Sequence, residues 1–158
     1  MSIHANAGTK VGIGTTVSMA DAAAYAADTY VLIANLQDVG EAGSEAEILT
    51  GKFVDQEYVR KLKGSRDNGT MELSVARDSS DAGYAALVAA EGTPHAYNFR
   101  VELNDKPATG ASPKGSVFYF SAIVASRKNN FGDADTIVST NFMLAISGPI
   151  LEVPASAT

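Results

Sequence analysis

The residues that could take part in acid–base or metal chemistry are few in this chain and poorly placed for it. His4 and His95 are its two histidines, the residue type whose charge ordinarily changes near neutral pH and that often binds zinc. Glu91 precedes His95 by four residues, which is a helical spacing, but Gly92 and Pro94 interrupt any helix that would place both on one face. We therefore expect both histidines to lie on the surface without a catalytic or metal-binding role.

Carboxylates and glycines give no stronger catalytic signal. Asp133 and Asp135 begin like a calcium-binding loop but lack the glycine and the distal glutamate of such a loop. Glu45 and Glu47 would share one face of an extended strand, where paired carboxylates are usually solvated and rarely form a glycosidase pair. The Gly-x-Gly at residues 12–14 is not followed by the third glycine of a dinucleotide-binding fingerprint. Since the chain also has no cysteine, we expect no catalytic residue, no cofactor and no metal site.

Composition places the chain among ordinary folded domains. Its 158 residues, 46% hydrophobic and 19% charged, predict a single domain over residues 1–158. The net charge of −6 has the wrong sign for broad contact with nucleic acid phosphates. The longest apolar run, residues 84–90, is far shorter than the roughly 20 residues that span a bilayer. Because residues 1–8 also lack the pattern of a secretory signal, we expect no membrane contact and synthesis in the cytoplasm.

Alternating apolar and polar residues predict several antiparallel strands. In residues 97–104 every second side chain is apolar and those between are polar. The same pattern recurs in residues 71–75 and, less regularly, in residues 138–146. Residues 118–125 are apolar on both faces, which is typical of a strand covered on both sides. Shorter extended segments are expected near residues 10–18 and 30–36.

One helix is predicted over residues 80–91. Asp78 and Ser79 can cap it, Asp81 falls in its first turn, and Gly92 ends it. Many short strands with a single helix indicate an α+β, mainly β fold. We therefore expect an antiparallel β-barrel or sandwich flanked by one α-helix.

A charged segment at residues 50–69 interrupts this pattern. Five of the twelve basic residues of the chain lie between positions 52 and 66, interleaved with aromatic and aliphatic side chains. Asn68 and Gly69 supply a tight turn into the next strand. A connection of this length within one domain is usually functional or disordered. Two interpretations remain open, a surface hairpin or solvated loop and an arm that becomes ordered against a partner.

Several motifs give the chain a resemblance to a known family. They are GTKVGIGTT at residues 8–16, RKLKGSRDNG at 60–69, L-x-V-x-R-D-x-S-D-A-G at 73–83 and I-S-G-x-I at 146–150. In their order and spacing, over nearly the whole chain, they resemble the major tail tube proteins of long-tailed (siphophage) bacteriophages. The resemblance implies a virion protein that is made in the host cytoplasm. Six copies would form a ring, and stacked rings would form the hollow tail tube through which the genome enters the host.

The resemblance also implies partners and contact surfaces. The partners are further copies of the chain, together with tape-measure, tail-tip and tail terminator proteins, and DNA would pass through the tube without specific binding. The segment 50–69 would bridge rings through apolar anchors and basic side chains: Phe53, Tyr58, Arg60, Lys61, Leu62, Lys63 and Arg66. Candidate acidic acceptors on the next ring are Glu41, Glu45, Glu47 and Asp81. Candidate lumen-facing residues are Asn98, Glu102, Ser139 and Asn141.

The resemblance also implies an arm at each end of the chain. An N-terminal arm is expected at about residues 1–9, and a C-terminal arm at about 148–158 would lie on a neighbouring subunit.

Two alternative functions remain open. The first is another phage ring or decoration protein, such as a tail terminator or a head–tail connector. The second is a monomeric β-barrel that binds a small apolar ligand. Against the second, four large side chains should suffice to fill a small barrel: Phe118, Phe120, Phe142 and Leu144.

Overall fold

The computed structural model describes residues 3–158 of the chain, which form nine strands and two helices. The strands are β1 (Lys10–Ile13), β2 (Val31–Leu32), β3 (Leu36–Asp38), β4 (Glu45–Gly51), β5 (Arg60–Asp67), β6 (Thr70–Ala76), β7 (Ala96–Glu102), β8 (Val117–Asn130) and β9 (Ser139–Val153). The helices are α1 (Ala22–Ala27) and α2 (Ala82–Glu91). The mainly β architecture predicted from the alternating segments is confirmed.

Seven of the strands form one antiparallel sheet in the order β2-β1-β7-β8-β9-β6-β3. The sheet curls into a half-barrel around the two longest strands, β8 and β9. β4 and β5 pair only with each other in a separate two-stranded sheet. The half-barrel therefore carries the core, and the β4–β5 pair lies outside it.

The inner face of the seven-stranded sheet is the one that helix α2 covers. Phe99 of β7 lies opposite Phe120 of β8, and their rings stack with 5.7 Å between centroids. The alternation predicted in residues 97–104 is confirmed, since Phe99 and Val101 point into the core. Helix α2 adds Tyr84 and Leu87 to the same core.

Helix α2 begins two residues later than predicted. Its N-cap is Asp81, whose carboxylate accepts a hydrogen bond from the backbone N–H of Tyr84 at 3.0 Å. The prediction that Asp78 and Ser79 cap the helix is wrong. Asp78 instead accepts hydrogen bonds from the N–H and hydroxyl of Ser80, at 2.9 and 2.6 Å, and so closes the turn before the helix.

Helix α1 was not predicted, so the expected single helix is one of two. It is six residues long, alanine-rich and capped by Asp21, whose carboxylate accepts from the N–H of Ala24 at 2.8 Å. Its one buried side chain, Tyr25, stacks on Tyr119 of β8 with 5.7 Å between ring centroids. This contact covers the outer face of β8 at Tyr119, whereas Ile123 and Ala125 further along the same face are exposed.

The short N-terminal strands differ from the predicted ranges. β1 stops at Ile13, and the segment 30–36 divides into β2 and β3. Asn35 lies between these two strands with φ of 59°, a left-handed conformation that no regular strand contains. That single residue explains the division.

The expected C-terminal arm at 148–158 is held by its own subunit. Strand β9 continues to Val153 and pairs with β8 of the same chain, with Leu151 opposite Tyr119 and Val153 opposite Val117. Ser156 then exchanges two backbone hydrogen bonds with Lys114, at 2.7 and 3.0 Å. As far as Ser156 the segment is therefore paired within its own subunit, and its contact with a neighbouring subunit stays a prediction. Of the expected N-terminal arm at 1–9, residues 1 and 2 lie outside the described part of the chain.

Candidate functional site

The charged segment at 50–69 contains the second half of a β-hairpin that begins earlier than expected, at Glu45. In this hairpin, β4 pairs with β5 in antiparallel register, from Glu45 opposite Asp67 to Gly51 opposite Arg60. Residues 52–59 connect the two strands, and we call them the hairpin tip. Gly69 follows with φ of 66°, as the predicted tight turn requires. Of the two interpretations left open, the segment is a surface hairpin in the subunit, and its contact with a partner stays a proposal.

The hairpin exposes an unusual amount of apolar surface. Among the described residues, sixteen large hydrophobic side chains are exposed, and seven of them belong to the hairpin. They are Ile48, Leu49, Phe53, Val54, Tyr58, Val59 and Leu62. Phe53 is 54% exposed, Leu62 69% and Tyr58 80%. Clustered apolar exposure of this kind usually marks an interaction surface.

The register distributes charge unevenly between the two faces of the hairpin. Lys61 lies opposite Thr50 and Lys63 opposite Ile48, so both lysines project from one face. Leu49 lies opposite Leu62 on the other face. One face of the hairpin therefore presents Lys61 and Lys63 beside Ile48, and the other presents the leucine pair with Arg60, which lies opposite Gly51.

The four candidate acceptor residues fall into three different environments. Asp81 is already engaged, because its carboxylate caps α2 and also accepts from the N–H of Ala34 at 3.2 Å. Glu45 and Glu47 are exposed on β4, within the same hairpin as the basic side chains. Glu41 is exposed and lines an open groove elsewhere on the subunit. The structure therefore does not bring the four acceptors together, and it leaves Asp81 unsuited to the role.

Two of the four expected lumen-facing residues are buried, and for them the expectation is wrong. Asn98 is only 2% exposed, and its side-chain amide donates to the backbone oxygen of Val17 at 2.8 Å and to Asp28 at 3.0 Å. Ser139 is 6% exposed between Ala76 of β6 and Asn130 of β8. Their polar side chains are enclosed by neighbouring segments that the alternation pattern could not reveal.

The other two expected lumen residues, Glu102 and Asn141, are half-buried. Asn141 pairs with Ser74 across β6 and β9 and lines the same groove as Glu41. Glu102 lies on β7, at the opposite side of the sheet order from β6. Of the four expected lumen residues, only Asn141 therefore shares a surface with another candidate residue, Glu41.

The groove beside β6 is an acidic surface that sequence reasoning did not identify. Asp38 of β3, Glu41 and Glu72 of β6 line it, and we call it the acidic groove. The rest of its lining consists of Gly40, Thr70, Ser74, Asn141 and Met143. The sequence did indicate one polar face of this groove, since Glu72 and Ser74 alternate with the buried side chains of β6. What the sequence could not show is that Asp38 and Glu41 lie beside them.

Asp28 organises a polar cluster on the outer face near α1. It accepts hydrogen bonds from the backbone N–H and hydroxyl of Thr15, the N–H of Thr29 and the amide of Asn98, all between 2.9 and 3.1 Å. Burial raises the pKa of the Asp28 carboxyl, but these hydrogen bonds together outweigh it and leave the pKa below its usual value. Its hydrogen-bond partners follow β1 and α1 or belong to β7, so we interpret the cluster as a set of contacts that stabilises the packing of α1 beside β1.

Tyr30 and Arg100 form a cation–π contact next to that cluster. The guanidinium carbon of Arg100 lies 5.0 Å from the centre of the Tyr30 ring. Burial, reinforced by the charge of Asp28, raises the pKa of the Tyr30 phenol well above its usual value. The phenol therefore stays protonated at physiological pH.

One end of the half-barrel opens into a cavity of about 730 Å³, which we call the apolar cavity. Its lining includes Met71, Leu103, Phe118, Phe120 and Ile150. The expectation that the large aromatic and aliphatic side chains fill the barrel is thus wrong at this end. Arg66, Asp67 and Asn68, at the base of the hairpin, form part of the cavity lining.

Two further features of the described part of the chain concern metal-binding clusters and membrane-spanning helices. Among residues 3–158, no group of three or more histidine, cysteine or acidic side chains is arranged to hold a metal ion. Neither helix of the described chain is long and apolar enough to cross a membrane. The exposed apolar side chains and the two concave surfaces define three candidate surfaces, which are the hairpin, the acidic groove and the apolar cavity.

Comparison with known proteins relates this geometry to solved assemblies. No protein-family model matches the chain, and no curated protein matches its sequence. Among solved structures, the SPP1 tail tube matches with a TM-score of 0.66 at 19% identity, over 91% of this chain and 75% of that one. The anti-feeding prophage baseplate gives a TM-score of 0.69 at 11% identity, over 98% of both chains. The tail of an empty GTA particle with C6 symmetry gives 0.62 at 12% identity, over 91% of this chain and 94% of that one.

These likenesses establish the fold. The half-barrel with its flanking helix is the fold found in phage tail tubes and related tails, which confirms the fold that the sequence resemblance implied. At these identities the likeness extends to the fold alone.

Proposed function

We propose that the chain is a structural tail tube protein of a bacteriophage virion. In this role it self-assembles into stacked rings that form a hollow tube, and DNA passes through that tube into the host. The observation that carries the proposal is the β4–β5 hairpin, which presents seven exposed apolar side chains on a chain with the tail tube fold. We assign no enzymatic role, since the solved structures with this fold are parts of tails and tubes.

Ring formation is supported by the free strand edges. β4 and β5 are seven and eight residues long, and each has one edge without a strand partner in the described chain. Unpaired edges of this length attract further strands. Pairing them between copies would satisfy both edges once a ring closes. Six copies is our proposal for the ring, in line with the C6 symmetry of the GTA tail.

Ring stacking is assigned to the hairpin. Phe53, Tyr58 and Leu62 supply apolar contacts, and Arg60, Lys61, Lys63 and Arg66 supply positive charge. Glu45 and Glu47 of an adjacent ring are the remaining acidic acceptors in this assignment. Because the two contacting surfaces differ, the contact repeats without closing and yields a tube of stacked rings.

The lumen is assigned to the acidic groove. Asp38, Glu41 and Glu72 lie on an open sheet surface together with Asn141. Carboxylates repel the phosphates of DNA, so a lumen of this kind lets the genome slide without being held. This assignment keeps Asn141 from the sequence prediction and moves Glu41 from ring stacking to the lumen.

The proposed partners and location follow from the same role. The protein would reside in the virion tail, where its copies contact one another and the tape-measure, tail-tip and tail terminator proteins. Assembly would take place in the host cytoplasm. DNA would contact the lumen only in passing.

Electron microscopy of the purified protein tests the proposal. Negative-stain images and light-scattering masses, recorded over a range of concentrations, should show hollow tubes or six-membered rings. Single rings that never stack would favour a tail terminator. A particle that stays monomeric at every concentration, with and without added tail-tip complexes, would overturn the proposal.

A further inference from the structure

We propose that the apolar cavity of one subunit receives the hairpin tip of a second copy, with Phe53 and Val54 inserted. The inference rests on the proposed function, in which copies of the chain contact one another. It goes further by specifying where the tip binds.

The cavity has the size and lining of a binding site for apolar side chains. Protein interiors are close-packed and contain few voids larger than a water molecule. An open cavity of about 730 Å³ between Met71, Val101, Phe118 and Ile146 is therefore an unfilled end of the core. Ligand pockets of roughly 300–1,000 Å³ accept groups much larger than two side chains. The cavity can thus accommodate a phenylalanine and a valine together.

The hairpin tip carries apolar side chains that match the lining of the cavity in character. Phe53 is 54% exposed, and Val54 is fully exposed. They are adjacent in sequence and lie at the start of the connection between β4 and β5. The tip therefore projects two neighbouring apolar side chains away from its own core.

The charges beside these apolar surfaces are also complementary. Arg66 and Asp67 line the cavity at the base of the hairpin. The tip carries Lys52 before its apolar pair and Asp55 after it. Lys52 can face Asp67, and Asp55 can face Arg66, when the tip of one copy enters the cavity of another.

A hairpin tip that occupies the cavity belongs to a second copy of the chain. Of the residues that the structure describes, those lining the cavity include none from 52–59. The tip lies beyond the pair Gly51–Arg60, whereas Arg66 and Asp67 lie at the other end of the paired strands. Seven residues of strand at about 3.3 Å each separate the two ends by about 20 Å. While the strands stay paired, a tip cannot reach the cavity of its own subunit.

Cross-linking between cysteine variants tests the contact directly, because the natural chain contains no cysteine. Val54→Cys and Ile150→Cys subunits, one of them isotope-labelled, are mixed into an excess of wild-type protein so that assembly proceeds. A short bis-maleimide is then added. We expect a cross-linked peptide between positions 54 and 150 that joins a labelled to an unlabelled subunit.

The matched control replaces Ile150→Cys by Ile137→Cys, an exposed position that does not line the cavity. The inference is overturned if tubes form while the 54–150 pair cross-links no more than the 54–137 pair. In that case the proposed function still stands. If wild-type protein forms neither tubes nor rings, it is the proposed function that fails.

A second pair of variants measures the contribution of the tip to assembly. Phe53→Ser with Val54→Ser removes the inserted side chains, and Phe131→Ser with Ile137→Ser removes two comparably exposed ones from the β8–β9 connection. We expect the tip variant to raise the concentration needed for assembly at least tenfold. The control variant should leave that concentration unchanged. Equal behaviour of the two variants would overturn the inference.

Discussion

The hydroxyl oxygen of Tyr84 lies 3.1 Å from Oγ1 of Thr140, and this contact joins helix α2 to strand β9. Thr140 donates its only hydroxyl hydrogen to Oδ1 of Asn129 at 2.9 Å, so Tyr84 is the donor in the contact with Thr140. Tyr84 and Thr140 are both buried. The contact therefore fixes the helix on the inner face of the sheet through a polar pair within the core.

Tyr84→Phe should lower the free energy of unfolding by about 1–2 kcal/mol, because Thr140 loses its buried donor. The ring should keep its edge-to-face packing on Phe142, at 5.9 Å between centroids, so the fold should persist. Urea unfolding measures the difference. Tyr58→Phe, at an exposed tyrosine of the hairpin tip, is the control and should match wild type. Unchanged stability of Tyr84→Phe would show that the hydrogen bond contributes nothing.

Gly83→Ala should destabilise the protein by about 2 kcal/mol, although alanine in a helix normally stabilises by up to about 1 kcal/mol relative to glycine. A Cβ atom at position 83 would lie 2.6 Å from Cα of Ile33 and would also meet the backbone oxygen of Leu32. Backbone atoms cannot move aside as a flexible side chain can. Thermal unfolding compares this variant with Gly43→Ala, whose Cβ would meet nothing within 4 Å. A gain of stability in Gly83→Ala would contradict the close packing of α2.

Asp28→Asn should lower the free energy of unfolding by about 1 kcal/mol at pH 7, because an amide cannot accept all the hydrogen bonds that the carboxylate accepts. The folded-state pKa of Asp28 lies below its unfolded value, so its contribution is fully present above the unfolded pKa of about 4. That contribution is lost as the pH falls through the folded pKa. The difference between wild type and variant should therefore shrink below about pH 4.

Unfolding midpoints measured from pH 7 to pH 3 test this dependence. Glu57→Gln, at an exposed position of the hairpin tip, is the control and should follow wild type throughout. A stability difference for Asp28→Asn that stays constant over the whole range would show that the carboxylate charge is irrelevant.

Reversing the charge of Arg60, Lys61 and Lys63 to glutamate should leave the subunit folded but prevent ring stacking. The three side chains are exposed, so the core does not depend on them. The matched control reverses Lys106, Lys114 and Lys128, which are also exposed and lie outside the hairpin. Circular dichroism checks the fold, and electron microscopy counts tubes. Full-length tubes from the hairpin variant would mean that the stacking surface is elsewhere.

Asp38→Lys with Glu72→Lys should convert the proposed lumen into a DNA-retaining surface. Tubes of this variant should hold short duplex DNA at low salt and release it as salt rises, because phosphate contacts are salt-dependent. Asp133→Lys with Asp135→Lys makes the same change of charge at exposed positions between β8 and β9. Filter retention of labelled DNA compares tubes of the groove variant with tubes of this control variant. Equal retention would place the acidic groove away from the lumen.

The elements that the sequence predicted well are those in which local pattern and burial agree. In β7 each apolar side chain alternates with a polar one, and Phe99 and Val101 point into the core as predicted. Helix α2 carries a capping aspartate and a terminating glycine, so its existence was clear and only its cap was misplaced. These signals lie within a few residues of the elements that they specify.

The features that were missed depend on contacts between distant parts of the chain. Helix α1 has no apolar stripe, and its one anchor, Tyr25, is defined by Tyr119 far along the sequence. Asn98 occupies a polar position of an alternating strand, yet Asp28 and Val17 enclose it. The cavity exists because the sheet does not close at one end, which no local pattern encodes.

The isolation of the β4–β5 pair from the larger sheet has a kinetic consequence. A two-stranded hairpin alone in water is at best marginally stable. In the proposed tube, neighbouring copies would hold the hairpins at a tube end, whereas a free subunit holds its hairpin by the β4–β5 pairing alone. Elongation of an existing end would then outpace spontaneous nucleation, so the number of tubes would follow the number of starting templates.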